Sequence, residues 1–192
     1  MATIGCRYAV FAPIKEEKHG QAPVYDTGVV LGRSISMELS YERNDSKLYA
    51  DDVLAESDNS ITGGVMTLGV DQFTPEGRVA ALGVELVEVE DQSVYRTKGK
   101  SAPYGGVGII EVQRYKGVTT YNPTWIYKTQ FAPAGKSMKT KGESIDWQTR
   151  DATGDIMGVY IDDSGEATFI DDTSFATEAD AIAWINKMAG IV

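Results

Sequence analysis

Three features of this sequence predict a mainly-β chain, dominated by strands and carrying two short helices. Apolar residues recur at every second position over much of its length. Turn-forming pairs and Gly-containing runs punctuate those stretches. Only two segments carry helix start and stop signals. The 192 residues are 42% hydrophobic, enough to bury a sizeable core. No linker or low-complexity tract divides them, so residues 1–192 are read as one domain.

The elements follow in order. Ile35, Met37, Leu39 and Tyr41 alternate with Ser36, Glu38, Ser40 and Glu42, which predicts a half-buried strand. Met66, Leu68 and Val70 continue the pattern after Gly63-Gly64. Thr74-Pro75-Glu76 starts a helix: Thr can cap free N–H groups and Pro fits the first position. Val79 and Leu82 are its expected apolar face, and Gly83 its stop. Gly106 to Tyr115, a turn at Lys116-Gly117, and Thr119 to Phe131 predict a hairpin. Trp125, Tyr127, Thr129 and Phe131 are expected on one face of its second strand, with Pro123 at an edge or bulge. Ile145, Trp147 and Thr149 predict a further strand. Val159 to Ile161, DDSG, and Ala167 to Ile170 predict another hairpin, with Gly165 at positive φ. At the C-terminal side Thr177 caps a helix with Asp180 three residues on; Ala181, Ile182, Trp184, Ile185 and Met188 form its apolar face, and Gly190 ends it.

One stretch breaks the rhythm. About twenty residues between Arg43 and Gly63 separate two strand patterns. Hairpin loops are normally ~2–5 residues, and longer loops in compact domains are usually functional. Turn signals stand at both ends, Asn44-Asp45-Ser46 and Asp58-Asn59-Ser60, and four carboxylates (Asp51, Asp52, Glu56, Asp58) lie between them. The excursion predicts a long loop, an arm spanning about 43–64.

Composition narrows the function. The single Cys allows no internal disulfide, and Cys6 with His19 cannot complete a four-ligand zinc site. No run of about 18 apolar residues exists to span a membrane. The first twenty residues carry no basic flank ahead of an apolar run of signal-peptide length, so the expectation is a chain made in cytosol and kept there until it assembles or is released. Net charge is −10 and uneven: Arg96 to Lys141 holds nine Lys and Arg against Glu111, whereas Glu143 to Asp180 holds eleven acids against Arg150. Overall acidity argues against tight DNA binding, and the basic third reads as a solvated charged surface.

Catalytic and metal chemistry find little support. The acids from Asp51 to Asp58 lack the alternating spacing and turn Gly of a calcium loop. Paired carboxylates could serve a hydrolase, but only if a pocket brings them together. A Cys6/His19 nucleophilic pair is weighed against simple packing of Cys6, and packing is preferred. There is no P-loop and no G-x-S-x-G, and Gly105-Gly106-Val107-Gly108 opens no helix as a dinucleotide fingerprint must. The Tyr and Trp residues could line a sugar-binding face, but the alternating ones are read as core.

Four ordered blocks resemble a known family. Lys47-Leu48-Tyr49-Ala50-Asp51-Asp52, with Glu56-Ser57 and Thr62-Gly63-Gly64, is similar to the signature of major tail proteins from long-tailed phages with non-contractile tails. Ala102-Pro103-Tyr104-Gly105-Gly106-Val107-Gly108 resembles that family's central motif, and Tyr127-Lys128-Thr129-Gln130-Phe131 its next strand. Lys139-Thr140-Lys141-Gly142-Glu143-Ser144-Ile145-Asp146-Trp147-Gln148-Thr149 resembles its C-terminal block. The likeness covers roughly Gly5 to Asp155.

The resemblance implies a β-sandwich or barrel-like tail-tube fold with a flanking helix and a long inter-strand loop, to which the residue pattern adds a C-terminal hairpin and helix at about 156–190. It implies a structural virion protein without an active site or cofactor, made in the host bacterial cytoplasm. Its homohexameric rings stack into a tube through which phage DNA passes without specific binding. Implied partners are the chain itself and the tape-measure, tail-end and tail-tip proteins. Lys47, Leu48, Tyr49, Asp51, Asp52, Glu56 and Asp58 become the expected ring-stacking arm. Lys136, Lys139 and Lys141 are expected at subunit contacts, because head-to-tail association can set the basic segment against the acidic one. The runner-up is a β-sandwich carbohydrate-binding module or adhesin, and a third reading is a small hydrolase with paired acids.

Overall fold

The computed structural model describes residues 2–133, 135, 140 and 149–191. In chain order its elements are β1 (Ala2–Glu16), β2 (Val24–Tyr25), β3 (Val29–Gly32), β4 (Ser34–Arg43), β5 (Ser46–Ala50), β6 (Val53–Asp58), β7 (Ile61–Val70), α1 (Pro75–Leu82), β8 (Glu85–Val89), β9 (Gln92–Arg96), β10 (Tyr104–Tyr115), β11 (Val118–Phe131), β12 (Arg150–Ile156), β13 (Ile170–Asp172) and α2 (Glu178–Ala189). The protein is mainly β, as the alternation predicts.

Among the described residues nine strands form one antiparallel sheet in the order β2-β1-β10-β11-β12-β7-β4, with β3 beside β1 and β13 beside β11. Only Arg33 separates β3 from β4, yet β3 pairs with β1 and β4 pairs with β7, toward opposite ends of that order. The chain itself therefore crosses the seam and carries the sheet round into a barrel. Gly32 sits at the crossing, where a Cβ would lie 2.3 Å from the Gln72 carbonyl oxygen. Asp71 pins the same corner: its Oδ1 accepts from the backbone N–H of Arg33 (3.0 Å) and of Gln72 (2.6 Å), and its own N–H donates to the Arg33 carbonyl (3.0 Å).

The barrel interior is apolar. Phe11, Leu31, Met66, Leu68, Val70, Val107, Ile109, Ile126 and Phe131 are all buried in one cluster. Alternation puts Met66, Leu68 and Val70 inside together, as expected. α1 closes one end of this core. Thr74 caps it, accepting from Gly77 N at 3.0 Å and donating to the Val30 carbonyl at 2.6 Å, while Gly83 ends it at φ 64. The buried stripe is Gly77, Ala81 and Leu82. Val79, expected on that stripe, is instead exposed, because it lies about 200° round the helix from Ala81.

A second core lies outside the barrel, where α2 packs on β1, β10 and β11. Ala181, Ile185 and Ala189 meet Val10, Ala12, Ile110, Trp125 and Tyr127. Thr177 caps α2 by accepting from Asp180 N at 3.2 Å, and Gly190 ends it at φ 64, both as expected. The glycines of β10 make the seat: a Cβ on Gly108 would lie 2.7 Å from Ile185 Cγ2, and one on Gly106 2.4 Å from Trp125 Cζ2. Beneath the helix Trp125 Nε1 donates to Tyr25 Oη (3.3 Å), Tyr25 donates to the Tyr127 carbonyl (2.7 Å), and Tyr127 donates to Asp171 Oδ2 (2.6 Å). Burial pushes both phenols above their ordinary range, and for Tyr127 the Asp171 carboxylate adds to the effect, so both stay protonated donors.

Several expectations change in the folded chain. Trp125, Tyr127, Thr129 and Phe131 do not share a face. Gly105 pairs with Thr129 but Val107 with Ile126, so β11 carries one extra residue there. This bulge reverses the alternation: Trp125 and Tyr127 face α2, whereas Phe131 lies inside the barrel. Pro123 is not at an edge, since β11 has β10 on one side and β13 on the other. Its carbonyl accepts from Thr173 N (3.2 Å), so its missing N–H is turned toward the three-residue β13 flank. Ile35 is 52% exposed because it is the surplus residue of a bulge between Ser34 and Ser36. The hairpin expected from Val159 to Ile170 reduces to one mutual pair, Val159 with Thr168 (2.9 and 2.8 Å), with Gly165 at φ 79; Ile170 joins β11 through β13 instead. Of the strand expected around 145–149, Ile145 and Trp147 lie outside the described residues.

Closure at Gly32 sets a stability test. Gly32→Ala forces a Cβ onto a backbone oxygen and should cost about 2–4 kcal/mol in urea unfolding. Gly99→Ala, with nothing within 4 Å of its added Cβ, should stay within about 0.5 kcal/mol. Equal stability of the two variants would overturn the role given to this corner.

Candidate functional site

The excursion between Arg43 and Gly63 is a β-hairpin arm rather than a loop. The β4–β7 ladder runs as far as Arg43 opposite Ile61. There the two turn signals face each other and form a joint. Asn44 N donates to the Ser60 carbonyl (2.8 Å), Asn44 Nδ2 to Asp58 Oδ2 (2.7 Å), and Ser60 N to Asp58 Oδ1 (2.9 Å). These donors, the Ser60 backbone N–H foremost, hold the Asp58 carboxyl below the usual carboxylate range. Beyond the joint β5 and β6 pair from Ser46–Asp58 to Ala50–Val53. The ribbon ends in Asp51-Asp52, both at positive φ (51 and 64), which is the geometry of a type I′ turn. Asp tolerates that region better than most residues.

Every residue from Ser46 to Asp58 is exposed. Leu48, Tyr49, Val53 and Leu54 are 58%, 64%, 66% and 48% exposed, respectively. An isolated two-stranded ribbon is marginal in water, and this one holds four large apolar side chains out in solvent. The register pairs Tyr49 with Leu54 and Ala50 with Val53, so these exposed apolar side chains are spread over both faces of the ribbon. The arm residues Lys47, Leu48, Tyr49, Asp51, Asp52, Glu56 and Asp58 are thus gathered on one ribbon, but their carboxylates do not converge. Asp51 and Asp52 make the turn, Glu56 stands opposite Leu48, Asp58 ties the joint, and Lys47 pairs with Asp45 at 2.8 Å.

A second hairpin has no counterpart in the sequence expectations. β8 and β9 pair from Glu85–Arg96 to Val89–Gln92 across Glu90-Asp91, again at positive φ (49 and 62). The alternation of Val87 and Val89 with Glu88 and Glu90 was the available signal. This ribbon also exposes apolar side chains, Leu86 and Val89 among them, and its Tyr95 ring packs under the Arg78 guanidinium at 4.2 Å. It follows α1, so it stands at the barrel end away from the first arm. The ten residues of β7 separate those ends by about 30 Å.

The remaining candidates separate. Cys6 lies in β1, partly buried against the interior core, and burial raises its thiol pKa. His19 lies past the far end of β1 and packs on Tyr160 with ring centroids 4.7 Å apart. The strand between them spans about 30 Å, so they form no nucleophilic pair. Gly105, Gly106 and Gly108 belong to β10 and serve packing. Lys136, Lys139 and Lys141 lie outside the described residues. At the arm end an open cleft sets the polar Glu111, Gln113, Asn122 and Asp172 beside the apolar Leu39 and Ile170. Glu111 there accepts from Thr3 and from Gln113 Nε2 (2.9 Å), while Asn122 Oδ1 is buried without a partner among the described residues.

No family model matches this chain, and no curated protein matches it in sequence.

The joint can be tested by itself. Asp58 stabilises the arm base only while ionised. Its folded-state pKa is lowered, so that contribution is present above the ordinary Asp value of about 3.9 and is lost as pH falls through the lowered one. In Asp58→Ala, amide exchange at Ser60 and along β5–β6 should speed up at neutral pH while the global melt stays put. Unchanged exchange would show that the joint does not hold the arm.

Proposed function

We propose that this chain is a self-assembling structural subunit, the major tail-tube protein of a long-tailed phage with a non-contractile tail. The observation that carries the reading is the β5–β6 arm, a paired ribbon that exposes Leu48, Tyr49, Val53 and Leu54 beyond a barrel already complete without it. Such a ribbon gains stability by lying against another surface. A mainly-β barrel with a helix outside it agrees with the fold that the four sequence blocks imply. In this reading homohexameric rings stack into a virion conduit, tape-measure and tail-end proteins meet its ends, and no catalytic step is assigned to the chain. Six copies at −10 each carry about −60 before counterions. An acidic inner wall would keep passing DNA hydrated, where a basic one would hold it by counterion release.

A second reading, a carbohydrate-binding module or adhesin, draws on the polar cleft at the barrel mouth and the unpartnered Asn122 Oδ1. Negative-stain microscopy of concentrated protein separates the two. Rings or tubes are the expected result; particles that stay small and bind glycans would favour the second reading. Replacing Asn44–Asn59 by a short Gly-containing turn should leave a cooperative melt and abolish tubes. If that variant still built normal tubes, the arm would have no part in assembly.

A further inference from the structure

At the barrel end away from the arm, a cleft of about 130 Å³ opens between α1 and the start of β12. Phe73, Leu82 and Val84 give it apolar walls, and Arg78 and Arg150 line it with two guanidinium groups. Arg78 is held in place by the Tyr95 ring. Among the described residues no carboxylate lies within 4.0 Å of either guanidinium. Two acids of this end are engaged elsewhere: Asp71 accepts from backbone N–H groups at the barrel corner, and Glu85 pairs with Lys98 at 2.5 Å.

We propose that this cleft receives the tip of the β5–β6 arm from a second copy of the chain, an inference that rests on the tube reading above. The chemistry is complementary. The tip presents the Asp51 and Asp52 carboxylates flanked by the apolar Tyr49, Val53 and Leu54. The cleft presents two cations over an apolar floor. The placement is complementary too. The arm leaves the barrel where β7 begins, and the cleft opens where β7 ends and Arg150 pairs with Val70. A chain cannot reach its own cleft, but a head-to-tail neighbour turns its cleft end toward the arm. A contact between two different surfaces of one chain repeats without closing, which builds a filament along the barrel axis. Arg suits the role because its planar fork can meet carboxylates with two donors at once.

The chain supplies its own template for the test. Lys116-Gly117 makes the β10–β11 turn at φ 48 and 85, close to the backbone of Asp51-Asp52. Asp51→Lys with Asp52→Gly therefore reverses the tip charge with little turn strain. Association of the full chain is followed by sedimentation and microscopy at low salt, with circular dichroism melts checking each fold. The tip variant should raise the concentration needed for assembly by about tenfold or more, because several exposed pairs of modest strength act together. Arg150→Glu should do the same, and so should Arg78→Glu with Arg150→Glu. If the double arginine variant unfolds, Arg150→Glu alone carries the test. Combining the tip reversal with Arg150→Glu should restore much of the lost assembly. Wild-type tubes that all variants build equally well would overturn this contact and leave the tube reading standing. A wild-type chain that stays monomeric at high concentration would overturn both.

Discussion

The fold depends on one corner, where the chain passes from β3 to β4 through Gly32 and Arg33. At that point a strand paired with β1 becomes a strand paired with β7. An open sheet with this strand order would leave two long edges to be covered. The crossing brings the two sides of that order together, with β4 lying near β1. It is possible only because Gly32 lets the Gln72 carbonyl approach and because Asp71 fixes the backbone N–H groups on either side. α1 begins three residues later, and its cap Thr74 reaches back to the Val30 carbonyl. The corner thus sets both the closure of the barrel and the lid on its core.

Closure makes the middle of the sheet a shared wall. β10 and β11 carry interior side chains on one face and the α2 seat on the other. Both cores need close approach there. Gly106 and Gly108 let Trp125 and Ile185 lie flat against β10, and the bulge in β11 sends Trp125 outward while Phe131 stays inside. A methyl group on this wall would push two cores apart rather than one.

The two ribbons are separate two-stranded sheets outside the barrel's main ladder. The β4–β7 ladder ends at Arg43 and Ile61, and the Asn44–Asp58–Ser60 joint hands over to a ribbon that has no core of its own. Asp51 and Asp52 serve its turn and Asp58 its joint, so these acids shape the arm itself. The opposite end offers Arg78 and Arg150 beside the apolar Phe73, Leu82 and Val84. Chemistry that differs between the two ends of one barrel favours head-to-tail contacts over face-to-face ones.

Much of this was legible in the sequence, and the limits are physical. Thr74 and Thr177 as caps, Gly83 and Gly190 as stops, and Lys116-Gly117 as a turn are set by the dihedral preferences of a few adjacent residues, and all hold. The inward run of Met66, Leu68 and Val70 holds for the same reason, since alternation is local. The acid-rich stretch announced an excursion, but not that Asp51-Asp52 would be a tight turn between paired strands. The bulge that parts Trp125 from Phe131 depends on register against β10. The exposure of Val79 depends on which side of α1 meets the barrel. The approach of Arg150 to Arg78 joins residues more than seventy positions apart. Short-range sterics and capping act between neighbours in the chain and can be read from it. Pairing partners, register and shared clefts arise between distant segments, so only the tertiary structure decides them.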